Sequence, residues 1–121
     1  MEDRPAIDLP EALNRAMGDA EFLRMLLDEL HNTIPDFRSR LIEAHQAGDL
    51  PAMGKTAHQL KGAAANLGAG AIAAAALKLE QIGKSGDPAG CGQAFEDLDQ
   101  AVANFEQCLS GIDWTSVGGK P

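Results

Sequence analysis

The residue best suited to chemistry is His58, which stands in the segment Ala57-His58-Gln59-Leu60-Lys61-Gly62. Apolar residues around it recur at steps of three and four, which predicts a helix whose core side leaves the imidazole facing solvent. Gly54 and Gly62 lie four residues before and after His58. Since each glycine costs a helix about 1 kcal/mol relative to alanine, we expect a compensating benefit. Removing side chains around the ring would give another protein's surface access to it.

One chemistry that this segment allows is attack of the imidazole on phosphorus. A neutral imidazole, with an unperturbed pKa of about 6.5, is a nucleophile near neutral pH, and an adduct with phosphorus carries about two negative charges. Lys61 is placed to contact such a group, and no Asp or Glu occurs from residue 50 to residue 79. The segment contains no second nucleophile, metal-ligand cluster or general base. It therefore predicts a covalent carrier and not an enzyme.

The other histidines and the cysteines give weaker signals. His31 follows Asp28 at a spacing that a metal could use, but no second pair completes such a site. His45 falls in the last turn of a predicted helix, and we assign it no function. Cys91 and Cys108 lie on one predicted helix about 25 Å apart, too far for a disulfide. We therefore expect no bound metal and no redox pair.

A long helix is predicted in the first half of the chain. Its apolar seam, from Leu23 to Ala44, stays in phase across Pro35, which favours one bent helix ending near Gly48. A short helix at roughly residues 10–17 is expected to precede it.

Three further helices follow. Asp49 is expected to cap the helix that carries His58, the next helix to end near Gly83, and the last to open with Asp87 as cap and Pro88 as its first residue. Helices with single apolar seams and short connections predict an all-α fold, an antiparallel four-helix bundle with an additional short N-terminal helix. We expect one domain over residues 1–114 and a disordered tail over residues 115–121.

Composition narrows the class of protein. The 121 residues contain 4% aromatics and no Tyr, which favours helices over strands, and 45% apolar residues provide a core. The formal charge of −8 argues against nucleic acid and anionic lipid as partners. No apolar run of about 18 residues and no apolar signal core at the N-terminus occurs, so a cytoplasmic location and no membrane association are expected. A monomer is the expected state.

The segment around His58 resembles the signature of histidine-containing phosphotransfer (HPt) domains. The likeness includes the downstream Leu67-Gly68-Ala69 and covers roughly residues 8–110. Outside the segment, similar residues are found at Gly18-Asp19, Pro35, Gly48-Asp49 and Leu79-Glu80.

The resemblance implies a four-helix bundle whose exposed histidine passes a phosphoryl group between receiver domains of a multistep phosphorelay. By position, His58 is the phosphoacceptor through Nε2, Lys61 contacts the phosphoryl group, and Gly62 keeps the surface open. Gly68 permits a tight connection into the next helix. Glu80 stands where some members have a Gln near the histidine, which leaves open whether it orients the ring. Mg²⁺ is expected on the partner receiver, and no cofactor on this chain.

A receiver would need an apolar patch near the histidine. Phe22, Met25 and Leu26 form an apolar strip outside the main seam of the long helix, and they are our docking candidates together with Lys55 and Ala65. Packing under the short first helix is an equally good use for the strip.

Other functions remain open at this point. The chain could be a module that docks receivers without being phosphorylated, or the excised phosphoacceptor domain of a chemotaxis-type or hybrid histidine kinase. A purely structural bundle leaves the glycine-flanked histidine unexplained, and a metalloenzyme lacks ligands. The donor kinase, the recipient regulator and the output of the pathway are not encoded in any recognisable motif.

Overall fold

The computed structural model describes residues 6–117, and every regular element in this range is an α-helix. The helices are α1 (Leu9–Arg15), α2 (Ala20–Gln46), α3 (Leu50–Asn66), α4 (Gly70–Ser85) and α5 (Cys91–Ser110). Helices α2 to α5 form the antiparallel bundle, and α1 packs at one end of it, so the predicted fold class is confirmed. Among the described residues, no helix has the length and apolarity needed to cross a membrane.

The bundle forms because each long helix buries one face. The large side chains with almost no exposed surface come from all four helices: Leu23, Leu27, Leu41, Met53, Leu60, Ile72, Leu79, Leu98 and Phe105. Small residues, chiefly alanines of α3 and α4, occupy much of the remaining core and let these two helices approach closely. The apolar periodicity of the sequence is the pattern that this packing requires.

Aspartates cap the N-termini of the first three helices. The side chains of Asp8, Asp19 and Asp49 each accept a hydrogen bond from the backbone N–H three residues later, at distances of 3.0 to 3.3 Å. The predicted cap of α3 is therefore confirmed. Helix α2 runs unbroken through Pro35, and Gly48 takes the expected left-handed conformation after it, with φ of 71°.

At the α4–α5 connection, the predicted end of α4 is correct to within two residues, and the predicted start of α5 is wrong. Helix α4 continues past Gly83 to Ser85, and Gly86 takes the left-handed conformation that ends it, with φ of 75°. Helix α5 begins at Cys91, after a left-handed Gly90, and not at Asp87 and Pro88. The Asp87 carboxylate instead accepts from the backbone N–H of Ala89, two residues on, which closes a local turn.

The chain after α5 folds back onto the bundle as far as residue 117. Asp113 accepts hydrogen bonds from the hydroxyls of Thr115 and Ser116, and Trp114 lies under the guanidinium of Arg24 on α2. Within the tail predicted to be disordered, residues 115–117 thus form turns. Residues 118–121 lie outside the described residues.

Candidate functional site

The site begins with a close contact between α3 and α4 at two glycines. A Cβ atom added to Gly83 would lie 2.6 Å from the Cα atom of Gly54 and 2.7 Å from its nitrogen, so only glycine fits there. A Cβ on Gly54 would meet its nearest neighbours at 3.4 Å, an ordinary contact. Gly54 is buried in this helix contact. It therefore brings the two helices together and does not open the surface around His58.

One turn away from this contact, His58 of α3 meets Glu80 of α4. The imidazole Nδ1 lies 2.8 Å from Oε2 of Glu80. The two side chains differ sharply in exposure, since 65% of the His58 side chain is accessible and only 5% of the Glu80 side chain. The buried carboxylate of Glu80 thus holds the exposed ring of His58 in place.

Two lysines neutralise that carboxylate. Lys61 Nζ lies 2.7 Å from Oε1, an ion pair without the angles of a good hydrogen bond, and Lys84 Nζ lies 3.2 Å from Oε2. The contact with Lys61, followed by those with His58 and Lys84, outweighs the effect of burial and lowers the pKa of Glu80 from 4.5 to about 2. Glu80 is therefore ionised at any pH near neutrality.

The charge of Glu80 determines which ring nitrogen carries the hydrogen. An ionised carboxylate can only accept hydrogen bonds, so Nδ1 of His58 must be the donor. In the neutral imidazole, Nε2 then holds the lone pair. The arrangement fixes the tautomer in which the unprotonated nitrogen is the one away from Glu80.

The α3 surface next to His58 is open. Gly62 is exposed, and a Cβ atom added there would meet nothing within 4 Å. Lys55 and Ala65, three residues before and seven after His58, are exposed too and lie on the same side of the helix. Small residues thus dominate the side of the ring toward the end of α3.

The apolar strip proposed for docking lies at the start of α2. Phe22 and Met25 are 45% and 64% exposed, and Leu26 is half-buried. They occupy the first two turns of α2, at the end where Arg24 packs over Trp114. His58 lies in the middle of α3, and a role of the strip in docking stays a prediction.

Gly68 lies where α1 joins the bundle. Its φ is 74°, its carbonyl accepts from the N–H of Asp8 at 2.8 Å, and a Cβ there would lie 2.8 Å from the Asp8 carbonyl oxygen. This location agrees with the tight α3–α4 connection expected from the sequence.

The remaining histidines and cysteines are located away from the site. His31 Nε2 lies 3.0 Å from Glu106 Oε2, and the His45 ring packs near Phe95. Cys91 and Cys108 are free thiols on α5, the first buried and the second half-buried. Within residues 6–117, no three His, Cys, Asp or Glu side chains are grouped as metal ligands.

Sequence reasoning missed two residues of the site and left a third undecided. The sequence indicates Gly83 only as a helix end and gives no role to Lys84, and it leaves open whether Glu80 contacts the ring. One signal was present, because Glu80 and Lys84 are spaced as an i,i+4 ion pair on a helix. Their position opposite His58 depends on the register of α4 against α3, which periodicity does not define.

Comparisons with known proteins agree with this geometry. The family model described as the Hpt domain matches residues 21–108. The crystal structure of histidine-containing phosphotransfer protein B (HptB) from Pseudomonas aeruginosa PAO1 is similar, with a TM-score of 0.76 and 25% sequence identity over 90% of this chain and 98% of that chain. A search of curated proteins gave no match.

Proposed function

Because the chain belongs to the Hpt domain family, the histidine phosphotransfer modules of phosphorelays, we propose that His58 is its phosphoacceptor. The donor is the aspartyl phosphate of a receiver domain, and the acceptor of the next step is an aspartate of another receiver. The observation that carries this proposal is the exposed His58 ring, whose Nδ1 is held at 2.8 Å by the buried carboxylate of Glu80.

The proposed step needs no base on this chain. The Nε2 lone pair attacks phosphorus, the bond from phosphorus to the aspartyl oxygen breaks, and its electron pair returns to the receiver's carboxylate. Nδ1 keeps its hydrogen, so the ring becomes positively charged as the new bond forms. Glu80, ionised and in contact with Nδ1, stabilises that developing charge. The reverse step returns the phosphoryl group to a second receiver by the same contacts.

Other groups complete the proposed site. Lys61, now paired with Glu80, lies on the same side of α3 and can contact a phosphoryl oxygen. Gly62 leaves room for the receiver beside the ring. The Mg²⁺ is assigned to the receiver. We further propose that the chain acts as a monomer in the cytoplasm, with receiver domains and neither nucleic acid nor membrane as its partners.

The test is transfer from a phosphorylated receiver domain to three proteins: wild type, His58→Gln and His45→Gln. His45 is a matched control because it is also an exposed histidine, on α2. We expect acid-labile, alkali-stable label on wild type and His45→Gln and none on His58→Gln. Equal label on His58→Gln would overturn the assignment. Binding of receivers without label on wild type would instead identify a docking module.

A further inference from the structure

We propose that Lys84 is a second phosphoryl-binding residue, paired with Glu80 before transfer and with the phosphoryl oxygens after it. This inference rests on the proposed function of His58. It adds to the site a residue on α4, one helix away from the histidine and from Lys61.

The charges around Glu80 are unequal before transfer. One buried carboxylate has two ammonium groups in contact with it, those of Lys61 and Lys84. With a neutral imidazole, the cluster carries one surplus positive charge. A phosphoryl group brings about two negative charges to the same place. The surplus positive charge should therefore stabilise the phosphorylated protein more than the unphosphorylated one.

The position of Lys84 places its ammonium next to the imidazole. Lys84 Nζ and His58 Nδ1 both contact the same oxygen, Oε2 of Glu80, at 3.2 and 2.8 Å. Glu80, the present partner of Lys84, contacts the imidazole. A phosphoryl group on that ring would therefore come within reach of the flexible Lys84 side chain.

The two lysines differ in their freedom to move. The Lys84 side chain is 75% exposed and its ion pair measures 3.2 Å, whereas the Lys61 side chain is 31% exposed and its pair measures 2.7 Å. Release of Lys84 would leave Glu80 neutralised by Lys61 and still bonded to His58. If Lys61 left Glu80 for the phosphoryl group, Glu80 would lose its closest cation during transfer.

Each lysine therefore has a separate task. Lys61 keeps Glu80 ionised while it contacts the phosphoryl group from α3, and Lys84 supplies a mobile charge from α4. Removing Lys84 should slow transfer about tenfold, the rate equivalent of about 1.4 kcal/mol at 25 °C. It should leave the fold intact because the Lys84 side chain is 75% exposed and Glu80 keeps its ion pair with Lys61.

The experiment compares Lys84→Gln with Lys78→Gln in phosphoryl transfer from one receiver. Lys78 is a matched control, since it lies on α4, is 62% exposed and pairs with Asp97 of α5. Both variants remove one positive charge from the same helix. We expect Lys84→Gln to accept phosphoryl about tenfold more slowly, Lys84→Arg to recover most of the rate, and Lys78→Gln to match wild type.

Equal rates for Lys84→Gln and Lys78→Gln would overturn the inference while leaving the proposed function standing. Failure of the proposed function is a different result, namely label on His58→Gln or none on wild type. A spectroscopic readout separates contact from stability: with ¹⁵N-labelled lysines, phosphorylation should shift the Nζ signal of Lys84 and leave that of Lys78 in place. An unmoved Lys84 signal also counts against the proposal.

Discussion

Replacing Gly83 by alanine would test whether the spacing of α3 and α4 controls the His58–Glu80 bond. The added methyl would lie 2.6 Å from the Cα atom of Gly54 and 2.7 Å from the carbonyl oxygen of Leu50, and both are backbone atoms. Ordinary contact begins at 3.4 Å, so α4 must retreat locally by about 0.8 Å. Overpacking of this kind typically costs about 1 to 3 kcal/mol of the free energy of unfolding.

The same displacement would affect the site one turn away. The Nδ1–Oε2 distance is 2.8 Å, and a retreat of about 0.8 Å by the backbone of α4 would lengthen it to about 3.6 Å, beyond hydrogen-bond range. His58 should then lose its preference for a hydrogen on Nδ1. Phosphoryl transfer should slow even under conditions in which the variant is fully folded.

The assay combines denaturant unfolding with ¹⁵N spectra of the His58 ring and transfer rates. Gly54→Ala serves as the matched control, because its Cβ meets its nearest neighbours at 3.4 Å and alanine favours a helix. It should match or exceed the stability of wild type and keep its Nδ1–H tautomer. The reasoning fails if Gly83→Ala unfolds at the same denaturant concentration as wild type and shows the same ring spectrum.

Three further predictions concern access, charge and folding. Gly62→Leu should raise stability by up to about 1 kcal/mol, because its Cβ meets nothing within 4 Å and leucine favours a helix over glycine, yet it should reduce transfer at least tenfold by blocking the receiver. Parallel unfolding and transfer assays check it, and unchanged transfer contradicts it. Glu80 has a pKa of about 2 in the folded chain against 4.5 ordinarily, so its contribution to stability is complete above pH 4.5 and is lost as the pH falls toward 2. When the free energy of unfolding is measured at decreasing pH, it should therefore fall less steeply over that range for Glu80→Gln than for wild type. Identical curves would refute the ion-pair assignment. Asp49→Ala removes the cap of α3 and should cost about 1 kcal/mol of stability with transfer per folded molecule unchanged, whereas a stability equal to wild type would show that the cap contributes nothing.

The helices could be predicted because local rules govern them. The seam of α2, the cap at Asp49 and the left-handed Gly48 each depend on residues a few positions apart. The start of α5 could not be predicted in this way. Asp87 followed by Pro88 has the pattern of a helix start, but the same aspartate can close a two-residue turn, and the packing of Cys91 into the core favours that alternative.

The candidate site was predictable only on one helix. The wheel of α3 correctly placed His58 on the exposed side and Leu60 in the core. It could not distinguish Gly54 from Gly62, which are symmetric about the histidine in sequence. Gly54 is buried against α4 and Gly62 is open to solvent, because α4 packs against Gly54 and not against Gly62. Glu80 and Lys84 reach the ring through the same helix packing, which depends on contacts far apart in the chain.

The most direct test of this account is the position of the phosphoryl group on the ring. The protein, labelled with ¹⁵N in its histidines, would be phosphorylated by a receiver, and the couplings of phosphorus to the ring nitrogens of His58 would be measured. We predict phosphorus on Nε2 and hydrogen on Nδ1, held by Glu80. Phosphorus on Nδ1, or on any residue other than His58, would contradict the central claim.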